Sequence, residues 1–414
     1  MQDHERDNSA LRAAVKTVVC PCCDSVVELP DASEGLQCRC PVCGALLRPA
    51  REVPLSHIAV MAFSALLMLV CSLNIPFMSV GAAGVSASMS LATIISVLSQ
   101  EHLLLGIFVL VTFVFPIYLL AIAMLTGFFA FRPGRMAAKL YSVCHRFTMI
   151  DVFVLGVAVS LVKLTQLADV SFHAGFFIAM FFSCILIWCW LRFRPARIWE
   201  LYRTQQDLQL DSGARGSDQG IVVCRSCGLM YRHQGGESSC PRCGAKNRFR
   251  QRMWGQRTAA LILAAAVLFL PSNLYPIMFT DYMGSETGSN IVEGVISLWD
   301  MGSWFVASVV VLASLFIPAF KILAVSYLMI CVKKGSITHP RLLSVLYRIV
   351  EFIGKWSMID VFVVIIMSTA VRMGGLLTIS PGMAIVTFCL VVMLTMFAAS
   401  EFDERLIWDN CAHD

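Results

Sequence analysis

The chain has 414 residues, 58% of them hydrophobic and only 14% charged, with a net charge of +5 and a mean hydropathy of +0.74. A water-soluble chain carries about 25% charged residues, so this composition excludes an ordinary soluble enzyme and fits a membrane protein. The sequence contains neither a phosphate-cradling glycine loop ending in Gly-Lys-Ser/Thr nor a nucleophile–base constellation, so no ATPase or other catalytic centre is expected.

Residues 1–50 hold charges and paired cysteines rather than an apolar signal region, so the first membrane helix is expected to act as the insertion signal. Apolar runs long enough to cross ~30 Å of hydrocarbon follow near 56–78, 103–131, 149–168 and 174–191. The stretch from Arg192 to Arg257 then intervenes, and its Ser212-Gly213-Ala214-Arg215-Gly216-Ser217 has the composition of a flexible linker. Four further apolar runs lie near 258–280, 303–331, 357–377 and 382–402. The expected fold is an all-α polytopic membrane protein of eight spans in two parallel four-helix repeats. Each repeat is preceded by a small zinc-ribbon-like β module.

Basic residues set the orientation. Of the 32 Lys and Arg, only Lys163, Lys321 and Arg372 lie within spans or at their far ends, and all the others fall on one side. The opposite loops, near 79–102, 169–173, 281–302 and 374–381, contain no Lys or Arg. The positive-inside rule therefore puts both termini and both cysteine modules in the cytoplasm. The expected domains are a cytoplasmic tail with the first ribbon (1–53), a first membrane domain (54–200), a linker with the second ribbon (201–253), a second membrane domain (254–409) and a short tail (410–414).

The two halves share local sequence. Ser72-Leu73-Asn74-Ile75-Pro76-Phe77-Met78 matches Ser272-Asn273-Leu274-Tyr275-Pro276-Ile277-Met278, and Met149-Ile150-Asp151-Val152-Phe153-Val154 matches Met358-Ile359-Asp360-Val361-Phe362-Val363. Ile198-Trp199-Glu200 closes the first half and Ile407-Trp408-Asp409 the second. An even number of spans per half makes the repeats parallel, a pattern found in some transporters.

In each module Cys-x-x-Cys is followed by Cys-Pro-x-Cys-Gly: Cys20 and Cys23 with Cys40 and Cys43, then Cys224 and Cys227 with Cys240 and Cys243. Two such knuckles turn four thiolates toward one ion, so two structural Zn²⁺ sites are expected. Cys22 and Cys38 are extra thiols that could substitute in the first module. A thiol-redox function is the rival reading, although the thioredoxin-like βαβ pattern that accompanies it is absent. Nucleic acid is not an expected partner, because Arg248, Arg250, Arg252 and Arg257 lead directly into a span and serve as a membrane-surface anchor.

An ionisable group in hydrocarbon costs at least ~2.5–3.5 kcal/mol, so each needs a partner or a function. Lys321 lies in the sixth apolar run and Asp360 near the start of the seventh. Ser314 precedes Lys321 by two helical turns, and Ser357 precedes Asp360 by one, which puts a hydroxyl on the face of each charge. A Lys321–Asp360 pair within a polar network that also takes in Thr395 is expected. Asp151 and Lys163 in the first half, and Arg372 opposite Lys163 in the second, are further candidates. Position 119, opposite Lys321 in the repeat, is leucine, so the second half is read as the working one. Pro116 and Pro318 are expected to kink their helices. The alternative is that these polar groups only hold helices together.

These motifs, with Val371-Arg372-Met373-Gly374-Gly375-Leu376 and Arg405-Leu406-Ile407-Trp408-Asp409, resemble the paraquat-inducible protein A family, which includes the intermembrane lipid transport protein A group. The resemblance covers nearly the whole chain. It implies a Gram-negative inner-membrane protein that works with a periplasm-spanning MCE-domain protein to move phospholipid between membranes. A scaffold that only positions the MCE partner is the alternative from another class.

Overall fold

The computed structural model describes residues 16–29, 37–48, 53–82, 85–90, 92, 103–167, 169–202, 208, 210–233, 236–251, 253–282, 285–300, 302, 304–335, 337–354, 356–370, 372–373 and 377–409. The first half opens with two short antiparallel hairpins, β1 (Lys16–Val19) with β2 (Val26–Leu29) and β3 (Cys38–Arg39) with β4 (Leu46–Arg48). There follow α1 (Leu55–Asn74), β5 (Met78–Ala82), β6 (Val85–Met89), α2 (Leu103–Phe129), α3 (Arg135–Phe147), α4 (Ile150–Leu167), β7 (Asp169–Phe172), α5 (Ala174–Arg192) and α6 (Pro195–Glu200).

The second half begins with β8 (Ile221–Val223) paired to β9 (Met230–Arg232) and β10 (Ser238–Ser239) paired to β11 (Lys246–Asn247). It continues through α7 (Trp254–Leu274), β12 (Met278–Tyr282), β13 (Ser285–Ser289), α8 (Ile291–Asp300) and α9 (Trp304–Val311). A π-helical turn (Leu312–Phe316) leads into α10 (Ile317–Lys334) and α11 (Pro340–Gly354). After a 3₁₀ turn (Trp356–Met358) come α12 (Ile359–Ala370), β14 (Arg372–Met373), β15 (Leu377–Pro381), α13 (Met383–Glu401) and α14 (Arg405–Asp409).

Among the described residues seven helical segments are long and apolar enough to cross a membrane: Leu55–Asn74, Leu110–Phe129, Arg135–Leu161, Ala174–Arg192, Trp254–Leu274, Ala307–Lys334 and Met383–Glu401. The run expected near 357–377 is instead the 12-residue α12, ended by β14. It rises about 18 Å, short of a ~30 Å hydrocarbon core. What it lacks in length it has in burial, because every side chain from Val361 to Met367 is buried. From Val361 to Met367 its sequence is apolar all round, as in a helix enclosed by other helices.

The partner of α12 is α4, the helix that opens with the same Ile-Asp-Val-Phe-Val sequence. Gly156 permits the crossing: a Cβ there would stand 2.7 Å from the Phe362 Cβ. Phe153 and Phe362 meet edge to face at 5.5 Å, and the Ser160 hydroxyl donates across to the Val363 carbonyl at 3.4 Å. Outside this centre α1 packs on α2 and α5, and α7 packs on α13 and α10. Phe63, Leu67 and Val70 on α1, with Leu263, Val267 and Leu270 on α7, are exposed. Such apolar outer faces suit lipid and not water.

Three features depart from the sequence reading. The far-side segments expected as plain loops form antiparallel sheets, ordered β6–β5–β7 and β13–β12–β15–β14. Pro76 and Pro276 start them, since each forces the preceding residue out of the helix: Ile75 and Tyr275 cap α1 and α7 in extended backbone. The basic segments expected as loops contain the amphipathic α3 and α11. In α11, Leu342, Val345, Ile349 and Phe352 form an exposed apolar stripe, with Leu343, Tyr347 and Val350 buried behind it, the pattern of a helix lying in a membrane surface. Finally, the segment read as a flexible linker is a paired edge. Val26 N–H donates to the Ala214 carbonyl at 2.9 Å, Gly213 N–H to Val26 at 3.1 Å and Gly216 N–H to Asp24 at 2.7 Å.

Candidate functional site

Each cysteine module is built from two tight turns. Gly44 N–H donates to the Cys40 carbonyl, Gly228 to Cys224 and Gly244 to Cys240, each at 2.8 Å. These glycines have φ of 68–72°, the left-handed conformation they tolerate without cost. In the first turn of the first module Asp24 takes that place at φ 64°, with its N–H on the Cys20 carbonyl. The turns bring Cys20, Cys23, Cys40 and Cys43 into one buried cluster and Cys224, Cys227, Cys240 and Cys243 into another, each with its sulfurs within 4.8 Å of one another. Cys22 and Cys38 stand outside the first cluster.

Neighbouring sulfurs are 3.6 Å apart in the first cluster and 3.5 Å in the second. A tetrahedral ion with sulfur ligands at about 2.3 Å needs sulfurs about 3.8 Å apart, so both clusters fit a metal ion. Hydrogen bonding to Cys224, together with burial, pushes the Cys240 thiol up to about 11. In the same cluster hydrogen bonds from Cys227 and Cys240 lower the Cys224 thiol, so the set shares its protons unevenly and offers a thiolate to a cation.

The modules are tied to the membrane helices by a chain of polar contacts. The first module packs on the second half, with Cys20, Cys23, Cys40 and Cys43 in one apolar cluster with Leu328, Val332, Tyr347 and Trp408. Arg341 at the start of α11 donates to the Val42 carbonyl at 2.9 Å and to Pro41 at 3.3 Å. Arg250 joins the two ends of this arrangement. It bonds Asp409 through Nε at 2.5 Å and Nη2 at 2.7 Å, and Asp24 through Nη2 at 3.0 Å. Burial works against the Arg250 charge, but the hydrogen bond and field of Asp409 and the nearby Asp24 outweigh it and hold the guanidinium protonated more firmly than usual. The closing tryptophans dock beneath the amphipathic helices: Trp408 Nε1 donates to Ser344 Oγ at 2.9 Å and Trp199 Nε1 to Ser142 Oγ at 3.4 Å.

Lys321 is fully buried one turn into α10, and its Nζ donates to the Gly354 carbonyl at the end of α11, 3.3 Å away. Ser314, Ser357 and Thr395 are also fully buried. The 3₁₀ turn that carries Ser357 lies against both the π turn that carries Ser314 and the helix that carries Thr395. Ser314 Oγ donates to Val310 at 2.6 Å and Thr395 Oγ1 to Val392 at 2.8 Å, while Ser357 Oγ has no partner among the described residues. Pro318 explains the π turn. It has no N–H for the Ser314 carbonyl, and Ile317 N–H reaches back five residues to Leu312 instead. Pro116 behaves differently, sitting inside the 27-residue α2 with no change of helix type.

The backbone puts Asp151 and Lys163 on α4, Asp360 on α12 and Arg372 on β14. The side chains of these four lie outside the described residues. The sequence reading did not find the Lys321–Gly354 contact, since a backbone carbonyl leaves no mark in sequence. It also missed the Arg250 link, whose acids are 226 and 159 positions away in the chain. The π turn did have a sequence signal, a proline four residues after a buried serine in an apolar run.

The family model for paraquat-inducible protein A matches the chain twice, over residues 55–203 and 255–412. Intermembrane transport protein PqiA of Escherichia coli is 36% identical over 404 residues, covering 96% of each chain. A probable intermembrane transport protein of Haemophilus influenzae is 27% identical over 407 residues, covering 95% of this chain and 96% of that one. Lipophilic envelope-spanning tunnel protein A of Escherichia coli is 27% identical over 400 residues, covering 95% and 91%. No solved structure matches the chain.

Proposed function

This chain belongs to the paraquat-inducible protein A family, and on that premise we propose that it is the inner-membrane subunit of an intermembrane phospholipid transport system. Two relatives carry intermembrane transport in their names, and a third is named for an envelope-spanning tunnel. Lipid enters the bundle on the side of the second half and passes to a periplasm-spanning MCE-domain partner on the far face. The far-side strands are two to five residues long, too short for a soluble carrier domain, so a lipid leaving the bundle needs another protein to receive it.

The architecture in this reading is two parallel four-helix halves with eight crossings, α4 being the third of the first half and the enclosed α12, extended by the 3₁₀ turn before it and the strand after it, the third of the second. It is supported by the double match of the family model and by a parallel succession of elements in the two halves, to which the second, among the described residues, adds α8, β14 and the break at the π turn. The one-sided distribution of Lys and Arg puts both termini and both cysteine modules in the cytoplasm. The domains are those read from the sequence, 1–53, 54–200, 201–253, 254–409 and 410–414. Each cysteine cluster holds one structural Zn²⁺, consistent with four sulfur ligands at tetrahedral spacing.

The observation that carries the transport reading is Lys321. An amine with no exposure, whose partner among the described residues is one backbone carbonyl and which has a π turn beside it, is expensive in a membrane and contributes little as helix glue. Lys321 and Asp360 form the switchable pair in this reading, with Ser314, Ser357 and Thr395 around it and Asp151, Lys163 and Arg372 as outlying members. The test is purification from native membranes in mild detergent, with mass spectrometry of bound protein and lipid, comparing wild type with Lys321→Met and Asp360→Asn. An MCE-domain protein in every sample, with phospholipid lost only from the charge variants, supports transport. The same partner with unchanged lipid makes the chain a scaffold.

A further inference from the structure

At the junction of the second cysteine module with α7 two cavities of about 500 and 600 Å³ meet at Met253, which lines both. The larger one holds Lys333, from the end of α10, beside Trp254. Gly255 makes the room, since a Cβ there would stand 3.3 Å from Lys333 Cε. The smaller is lined by Lys246 and Arg248 from the module, Arg257 from the first turn of α7, and by Arg225 and Arg250, with Glu237 as its one carboxylate.

Two of these cations are already neutralised from behind the cavity. Arg225 pairs with the buried Asp403 at 2.5 Å, and Arg250 with Asp24 and Asp409. The other three face solvent. Arg248 and Lys246 share Glu237, at 2.7 and 3.9 Å, and Arg257 reaches Glu401 only at 3.7 Å. The positive charge therefore exceeds the carboxylates available to the cavity, and Lys333 adds to it across Met253. The matching entry into α1 reads Val53-Pro54-Leu55-Ser56-His57, with neither the tryptophan nor the arginine that opens α7.

We propose that this basic cavity binds the phosphodiester headgroup of an anionic phospholipid from the leaflet that borders the cysteine modules. Arg248 and Arg257 offer planar forks suited to phosphate oxygens, and Lys246 and Lys333 act as point charges. Trp254, which meets Phe402 edge to face at 5.6 Å, marks the depth at which a headgroup lies. Cavities of 300–1,000 Å³ suit groups of this size. The inference uses the cytoplasmic orientation proposed above, but neither Lys321 nor the MCE partner.

The experiment places the full chain in nanodiscs of phosphatidylcholine, with or without phosphatidylglycerol, and counts retained lipid by native mass spectrometry after release into detergent. Wild type is expected to keep phosphatidylglycerol in preference to phosphatidylcholine. The triple variant K246Q/R248Q/R257Q is expected to lose that preference about tenfold or more, with metal content unchanged. Glu237→Gln removes a competing carboxylate and is expected to strengthen retention, a gain that misfolding cannot imitate. The readout is the ratio of the two retained lipids and not lipid transfer, so an unchanged ratio in the triple variant sinks this site and leaves the transport reading standing. Equal retention of the two lipids by wild type, or an unchanged preference in the triple variant, overturns the proposal. So does stabilisation by inorganic phosphate in pure phosphatidylcholine discs without phosphatidylglycerol retention, since the ligand is then soluble phosphate.

Discussion

Arg250→Gln tests whether the polar link between modules and membrane helices holds the cytoplasmic side together. The substitution removes three charge-assisted hydrogen bonds, two to Asp409 and one to Asp24. Asp24 has only 3% side-chain exposure and keeps a hydrogen bond from Ser217 N–H at 3.3 Å. Breaking a fully buried pair costs about 3–5 kcal/mol, chiefly because the surviving charge is left without a partner. Here Arg250 and Asp409 are 19% and 29% exposed, so water recovers part of that, and about 2–3 kcal/mol is expected. At 1.36 kcal/mol per decade this is about a 30- to 150-fold larger open population of the strand-paired segment around Arg215. Trypsin cleavage at Arg215 reads that population when closing is faster than cutting. Asp24→Asn in the Arg250→Gln background is expected to restore part of the protection, because it removes the stranded carboxylate. Arg250→Lys is expected to remain sensitive, since an ammonium cannot reproduce the two-pronged grip on Asp409. Unchanged cleavage in Arg250→Gln, or a fully additive loss in the double variant, refutes the reasoning.

Other perturbations separate packing, metal and charge. Gly156→Ala gains about 1 kcal/mol of helix propensity but drives a methyl against Phe362, and overpacking costs about 1–3 kcal/mol; a lower unfolding temperature in detergent is expected. Gly294→Ala on α8, where a Cβ meets nothing within 4 Å, is the control and is expected to stabilise by about 0.5–1 kcal/mol. Metal analysis is expected to give two zinc ions per chain, one after Cys40→Ser or Cys224→Ser, and two after Cys22→Ser or Cys38→Ser; a chain purified with no metal and a reversible disulfide indicates redox chemistry. Lys321→Met is expected to leave stability unchanged or raise it by about 1–4 kcal/mol, as replacing buried charge with apolar volume does; a marked loss of stability marks the lysine as structural.

Much of this protein was legible in order of residues. The long apolar runs, the Cys-x-x-Cys spacing and the paired Asn-Ile-Pro and Leu-Tyr-Pro motifs are local signals, because helix length, knuckle geometry and proline stereochemistry each depend on a few adjacent positions. Cys20, Cys23, Cys40 and Cys43 were picked out by spacing and meet in one cluster, as do their four counterparts. Hydropathy did not show that α12 is short and enclosed by other helices, because burial among protein helices selects the same apolar residues as burial in lipid. Length alone tells the two apart, and the strand that cuts α12 short is held by β15.

Tertiary structure decided the rest. That the Ser212–Ser217 segment pairs with the first module depends on Val26 offering a free strand edge, which composition does not report. That Arg250 joins Asp24 to Asp409, and that Lys321 faces the Gly354 carbonyl, depends on where separate helices end in space. Sequence carries the propensities of each segment, since those are set by neighbours along the chain. Pairings between segments are set by packing, in which one buried charge accepts whichever oxygen the fold brings within reach.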